Sequence, residues 1–133
     1  MVRASLVGAP YRVDIVAGGH GLVADEAPTR GGGGAGPDPF ELVLSGLAAC
    51  TLITLRMYAD RKSWQGFQIS VELHHRMEGD RHFIDRRVEV TGVPDEAGVG
   101  RLRDIVERTP VTLALKAGFD ISTVLAEDQT AAR

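Results

Sequence analysis

The chain has 133 residues, 15 Lys and Arg against 18 Asp and Glu, a formal net charge of −3 and 44% hydrophobic residues. This length and composition fit one globular domain over residues 1–133, with enough apolar content for a real core. The acidic balance, with no Lys/Arg cluster beyond Arg86-Arg87, excludes nucleic acid as an electrostatic partner.

The one cysteine, Cys50, cannot form an intrachain disulfide. It is either a small buried hydrophobe or a reactive thiol. The N-terminal stretch MVRASLVGAPYRVDIV has no sustained apolar run followed by a small-residue cleavage site, so a cytoplasmic location is expected.

In chain order, the sequence first predicts a meander of three strands over residues 4–7, 11–17 and 21–25, with Gly8-Ala9-Pro10 and Gly18-Gly19-His20 as turns. Val13, Ile15 and Ala17 alternate with Arg12, Asp14 and Val16, the pattern of a half-exposed strand. Residues 27–37, APTRGGGGAGP, read as a mobile loop, or in functional terms as a flap that carries Arg30 beside Cys50. No Lys-Ser/Thr pair follows these glycines, so they are not a phosphate cradle.

Residues 37–60, PDPFELVLSGLAACTLITLRMYAD, form the only long apolar segment and hold Cys50. From Leu42 to Leu55 apolar residues occur all round a helical wheel, which predicts a helix buried on every side. Asp38 as N-cap, Pro39 at the first helical position and Glu41 make an Asp-x-x-Glu capping box. The uncharged run of 14 residues is too short for a bilayer about 30 Å thick, so no membrane partner is expected. Cys50 lies about 18 Å along the axis from the Asp38 cap, too far for that helix start to act on it. Activation of the thiol must therefore come from elsewhere: one route is a break at Ser45-Gly46, which creates a second helix start, and another is an arginine delivered from outside the helix.

Phe67, Ile69, Val71, Leu73 and His75 then alternate with polar residues, and a second run alternates from His82 through Val90. Met77-Glu-Gly-Asp-Arg81 joins the two as a hairpin. His74 and His75 point to opposite faces of such a strand, and no third ligand completes a spacing with His82. Neither a metal nor a cofactor is expected. Pro94-Asp95-Glu96 opens a second helix through Arg108; Thr109 caps, and Pro110 begins, a third that Gly118 stops. Phe119, Ile121, Thr123 and Leu125 predict a last strand, with 127–133 as a frayed tail.

The order of elements and the wording of two segments resemble the OsmC/Ohr family (osmotically induced protein C and organic hydroperoxide resistance proteins), and particularly its OsmC-like subgroup. LVADEAP, the glycine loop and GPDPFELVLSGLAACTLITLRMYADRKSW are similar to that subgroup's Gly-Pro-x-Pro-x-Glu-Leu-Leu-Leu-x-x-Leu-x-x-Cys-Thr pattern ending in Arg-Met-Tyr-Ala-x-Arg-Lys-x-Trp. The resemblance implies an α+β fold with a curved antiparallel sheet wrapped around the long central helix. It also implies an intertwined homodimer with two equivalent sites between subunits.

In the family, a reactive cysteine on this helix reduces organic hydroperoxides and a second, resolving cysteine forms a disulfide with it. Cys50 falls on the reactive position. The segment that usually reads Cys-Pro-Val-His is here Thr109-Pro110-Val111-Thr112, so the resolving thiol and its neighbouring histidine are both lost. The peroxidase branches also use an arginine and a glutamate to position peroxide and hold the thiolate. Arg12, or second Arg30, matches the arginine; the glutamate position is Phe40, with Glu41 one residue later and turned by about 100°.

The resemblance therefore implies a one-cysteine peroxidase in which Cys50 attacks an organic hydroperoxide, Arg12 or Arg30 and Glu41 assist, and an external thiol regenerates the enzyme. The alternative is a non-catalytic dimer of the same fold, acting as a stress-response or small-molecule binding protein, with Thr109 as a helix cap only.

Overall fold

The computed structural model describes residues 1–7 and 10–127; the Gly8-Ala9 part of the first turn and the tail beyond Glu127 lie outside the described residues. Strands β1 (Val2–Leu6), β2 (Val13–Ala17) and β3 (His20–Ala24) form an antiparallel sheet in the order β1-β2-β3. Ala4 pairs with Ile15, and Ile15 with Leu22. Along β2 the half-buried positions are Val13, Ile15 and Ala17, as the alternation requires.

The glycine-rich segment, whose composition suggests a mobile loop, takes a path with specific backbone contacts. It folds around the carboxylate of Asp25, which is only 3% exposed and accepts the N–H groups of Glu26 at 2.7 Å and Ala35 at 3.1 Å. A short 3-10 turn, Pro28–Arg30, lies inside it, and the N–H of Asp25 donates to the carbonyl of Pro37 at 3.1 Å. A Cβ at Gly32 would overlap the carbonyl of Glu26, and one at Gly36 the carbonyl of Val23. These two glycines are needed because backbone passes against backbone.

Asp25 carries a testable consequence. The Ala35 N–H above all, with those of Glu26 and Gly33, holds its carboxyl below the ordinary 3.8 against the opposing effect of burial. A depressed carboxyl stabilises the fold above its ordinary value and loses that contribution as pH falls through the folded value. Wild type should therefore be more stable than Asp25→Asn at neutral pH, and the difference in thermal midpoint should vanish on acidification below 3.8. A gap independent of pH would refute the assignment.

Helix α1 (Pro39–Arg61) starts as the sequence requires: the Glu41 N–H donates to Asp38 at 2.8 Å, and the Asp38 N–H to the Glu41 carboxylate at 3.0 Å. It runs without interruption through Ser45-Gly46, where the Ser45 hydroxyl donates back to the Glu41 carbonyl at 2.7 Å. The break is absent, and with it one of the two routes to an activated thiol.

Strands β4 (Gln68–Glu78) and β5 (Arg81–Thr91) form a long hairpin with Leu73 opposite Arg86 and Val71 opposite Val88. Helix α2 (Glu96–Val106) follows, its start fixed by Asp95 accepting from Gly98 at 2.7 Å. Helix α3 (Pro110–Ala117) is capped by Thr109, with Pro110 in the first turn. α1 packs against β4, α2 and α3. Leu55, Tyr58 and Ala59 join Phe67 and Leu102 in the buried core, with Trp64 edge-on to Tyr58 at 5.5 Å. Burying Leu55 to 1% exposure contributes about 2 kcal/mol.

The fold is the expected α+β class, and among the described residues its antiparallel strands form two sheets, β1-β2-β3 and β4-β5. Two further expectations are corrected. The predicted last strand does not form: Phe119, Ile121 and Leu125 are 66%, 84% and 87% exposed, and the segment has no strand beside it to complete a ladder. Nor is α1 buried on every side. Leu47, Thr51, Leu55, Tyr58 and Ala59 face the protein, whereas Val43, Ile53 and Met57 are exposed, because one chain has only enough elements to cover one face.

Candidate active site around Cys50

Cys50 sits midway along α1, half-buried, at the edge of the face that packs on α3. Its sulfur accepts the backbone N–H of Val111 at 3.4 Å and lies 3.9 Å from the Thr54 hydroxyl. Val111 belongs to the first turn of α3, so the helix start that acts on the thiol is supplied by a different helix. α3 begins there because Thr109 caps it through the Thr112 N–H and Pro110 is preset for the helical φ.

The positive charge comes from Arg86. β5 places it on the same face as Val88 and Val90, and from there Nη1 donates to the hydroxyls of Thr51 and Thr112, both at 2.9 Å. Nη2 donates to the Val106 carbonyl, also at 2.9 Å. Thr51, Thr109 and Thr112 are all buried, and the Thr109 and Thr112 hydroxyls are 2.6 Å apart. Thr51 donates to the Leu47 carbonyl at 2.8 Å, so it is free to accept from the guanidinium. The Thr112 hydroxyl accepts from Arg86, donates to the Val106 carbonyl at 3.4 Å and shares a hydrogen bond with the Thr109 hydroxyl in which either oxygen can donate, and the Thr109 hydroxyl in turn acts on the sulfur. This chain of hydroxyl dipoles leads from a cation to Cys50.

Burial pushes the Cys50 thiol up, but the Val111 N–H, the Thr109 and Thr54 hydroxyls and the Arg86 charge together outweigh it, so the thiol lies below its ordinary 9.0. The sulfur thus lies among hydrogen-bond donors rather than sealed among hydrocarbon.

The other expected residues are placed elsewhere in the chain. Arg12 pairs with Asp14 at 3.1 Å on the exposed face of the first sheet, and Arg30 ends the 3-10 turn at an exposed position. Glu41 is committed to the capping box, about 13 Å along the helix axis from Cys50. Phe40, at the family's glutamate position, stacks on His75 with ring centroids 4.2 Å apart, and His75 Nε2 lies 2.8 Å from His82 Nδ1. Sequence reasoning missed Arg86. The available signal was a cation at an inward register position, between Ile84 and Val88 on a strand whose inner face is otherwise apolar.

Residues 31–124 match the family model described as OsmC-like protein. No individually curated protein matches the sequence. The fold is similar to the crystal structure of an OsmC like protein from Mycoplasma pneumoniae, at 21% identity over 87% of this chain and 86% of that chain, with a TM-score of 0.67. It is also similar to an osmotic stress induced and detoxification response protein from Psychrobacter arcticus, at 15% identity over 85% of each chain and a TM-score of 0.71. An organic hydroperoxide resistance protein OsmC from Legionella pneumophila matches at 19% identity over 87% of this chain and 88% of that one, with a TM-score of 0.59. With the family model spanning everything from the glycine loop to the segment after α3, the chain belongs to the OsmC-like family.

Proposed function

We propose that the protein is a one-cysteine peroxidase of organic hydroperoxides. The observation that supports this is the polarised sulfur of Cys50, half-buried, held by the α3 N-terminus and linked through hydroxyls to Arg86. The thiolate attacks the distal peroxide oxygen, the O–O bond breaks, and the electron pair leaves with the alkoxide, which is protonated to the alcohol. Cys50 is left as the sulfenic acid, oxidised by two electrons.

Thr109 cannot resolve it, so an external thiol condenses with the sulfenic acid, releasing water and leaving a mixed disulfide. A second thiol exchanges with that disulfide and restores Cys50. The test is consumption of cumene hydroperoxide with a dithiol as the only reductant; no turnover above the uncatalysed rate refutes the proposal.

We also propose that the working form is a homodimer. Val43, Ile53 and Met57 on α1, and Phe119, Ile121, Val124 and Leu125 after α3, are exposed apolar residues that a second copy would cover. Within one chain neither Arg12 nor Arg30 is among the groups that lower the Cys50 thiol, so a role for either would need such a copy. Sedimentation at micromolar concentration should give twice the chain mass.

A second reading, a non-catalytic binding protein of the same fold, is favoured by Thr109, whose hydroxyl already serves as the α3 cap and needs no redox role. Iodoacetamide alkylation discriminates between them. A Cys50 pH–rate profile centred at the ordinary thiol value supports the second reading, and one shifted to lower pH supports the first.

The Thr109 hydroxyl faces the sulfur, so Thr109→Cys should place a second thiol within bonding reach. Stoichiometric hydroperoxide should then abolish both free thiols, as read by thiol titration, with the chain still monomeric on a denaturing non-reducing gel. Persistence of a free thiol would show that the two positions do not meet.

A further inference from the structure

A cavity of about 560 Å³ opens beside Arg86, and Cys50 is not among the residues that line it. Arg81, His82, Arg86 and Lys116 line it against a single carboxylate, Glu107, which is already paired with Lys116 at 2.6 Å. Its apolar wall is Leu47, Ile84 and Leu115.

The charge within it is not neutralised. Arg86 has three protein acceptors, all uncharged, and among the described residues its Nε has none. No buried side-chain nitrogen among those residues lacks a partner, so this edge of the guanidinium is open to solvent. Nε and the adjacent proton of Nη2 form the side-on edge of the guanidinium fork, which matches the two oxygens of a carboxylate. Arg81 stacks on the Phe83 ring at 5.0 Å and pairs with no acid among the described residues. His82 is tied at Nδ1 to His75, which leaves its Nε2 toward solvent.

We propose that this cavity binds an organic carboxylate with a short apolar body, head group on Arg86 and body against Leu47, Ile84 and Leu115, and that occupancy draws positive charge away from Cys50. The volume suits a small metabolite, and a lining that is mostly polar and cationic, with one apolar wall, suits an anion that carries a short apolar body. Coupling follows from connectivity: the guanidinium that meets the ligand also holds Thr51, the residue after Cys50, and Thr112, the residue after Val111. An anion on one edge of Arg86 offsets the field that its other edge exerts toward the sulfur. The inference requires only that Cys50 ionises and is independent of peroxidase chemistry.

The probe is octanoate, titrated calorimetrically into the full chain at low salt, with octan-1-ol as the uncharged control. Octanoate should bind with a dissociation constant below about 1 mM, octan-1-ol about tenfold or more weaker, and the Arg81→Gln/Lys116→Gln double variant should lose octanoate affinity by a similar factor. Saturating octanoate should move the pH–rate profile of Cys50 alkylation to higher pH, whereas simple blockage would lower the rate equally at every pH. Absence of binding, equal affinity for the alcohol, or an unaffected double variant overturns the site; bound octanoate with an unmoved profile overturns the coupling.

Discussion

Cys50→Ser should abolish thiol-dependent consumption of cumene hydroperoxide, by at least about a thousandfold, while the fold survives. A serine hydroxyl still accepts the Val111 N–H, so the α1–α3 contact persists and the change in stability should stay within about 1 kcal/mol. The reactive anion is lost, because the surroundings that lower a thiol from 9.0 cannot ionise an alcohol near neutrality. Linkage adds a second readout. A thiol depressed in the folded state stabilises the fold increasingly as pH rises from its folded value toward 9.0, so wild type should gain on the serine variant over that window. Full hydroperoxide consumption by the serine variant would end the enzymatic reading.

Arg86→Met should have the largest structural effect of any change at the site. It removes three hydrogen bonds donated by a cation and leaves the Val106 carbonyl and the Thr51 and Thr112 hydroxyls without that donor. Losses of this kind cost about 2–3 kcal/mol, visible as a fall in thermal midpoint. The Cys50 alkylation profile should move to higher pH, since the charge and the hydroxyl chain it polarises both help to lower the thiol. Arg86→Lys restores the charge without the planar fork, so it should recover the profile more fully than the stability. An unmoved profile in the methionine variant would remove Arg86 from the activation of Cys50.

How much of this could be read from the sequence follows the range of the interactions. The start of α1 was legible because Asp38, Pro39 and Glu41 act within a single turn. The cap at Thr109 and the stop at Gly118 were legible for the same reason. The activation of Cys50 was not: Val111 lies 61 positions away, and the Arg86 bonds to Thr51 and Thr112 span 35 and 26. The motif resemblance put Cys50 at the reactive position, and the register of Arg86 on β5 was a signal for a cation facing inward but not for what it would meet.

The glycine-rich segment shows another limit. Composition reads GGGGAG as slack, yet Gly32 and Gly36 are set by the carbonyls of Glu26 and Val23, an encounter visible only once the chain has turned back. The last strand fails differently: Phe119 to Leu125 has strand periodicity, but a strand is a property of a pair, and among the described residues no strand lies beside it.

On the proposed peroxidase reading, the oxygen atom that Thr109 presents to Cys50 sets the fate of the protein under sustained oxidant. With no neighbouring thiol to trap it, the first oxidation product either meets a small thiol from solution or proceeds to the sulfinic acid, which exchange cannot reverse. On that reading the working lifetime of each molecule is governed by how much reduced thiol surrounds it, which would make the chain a gauge of that supply as much as a consumer of peroxide.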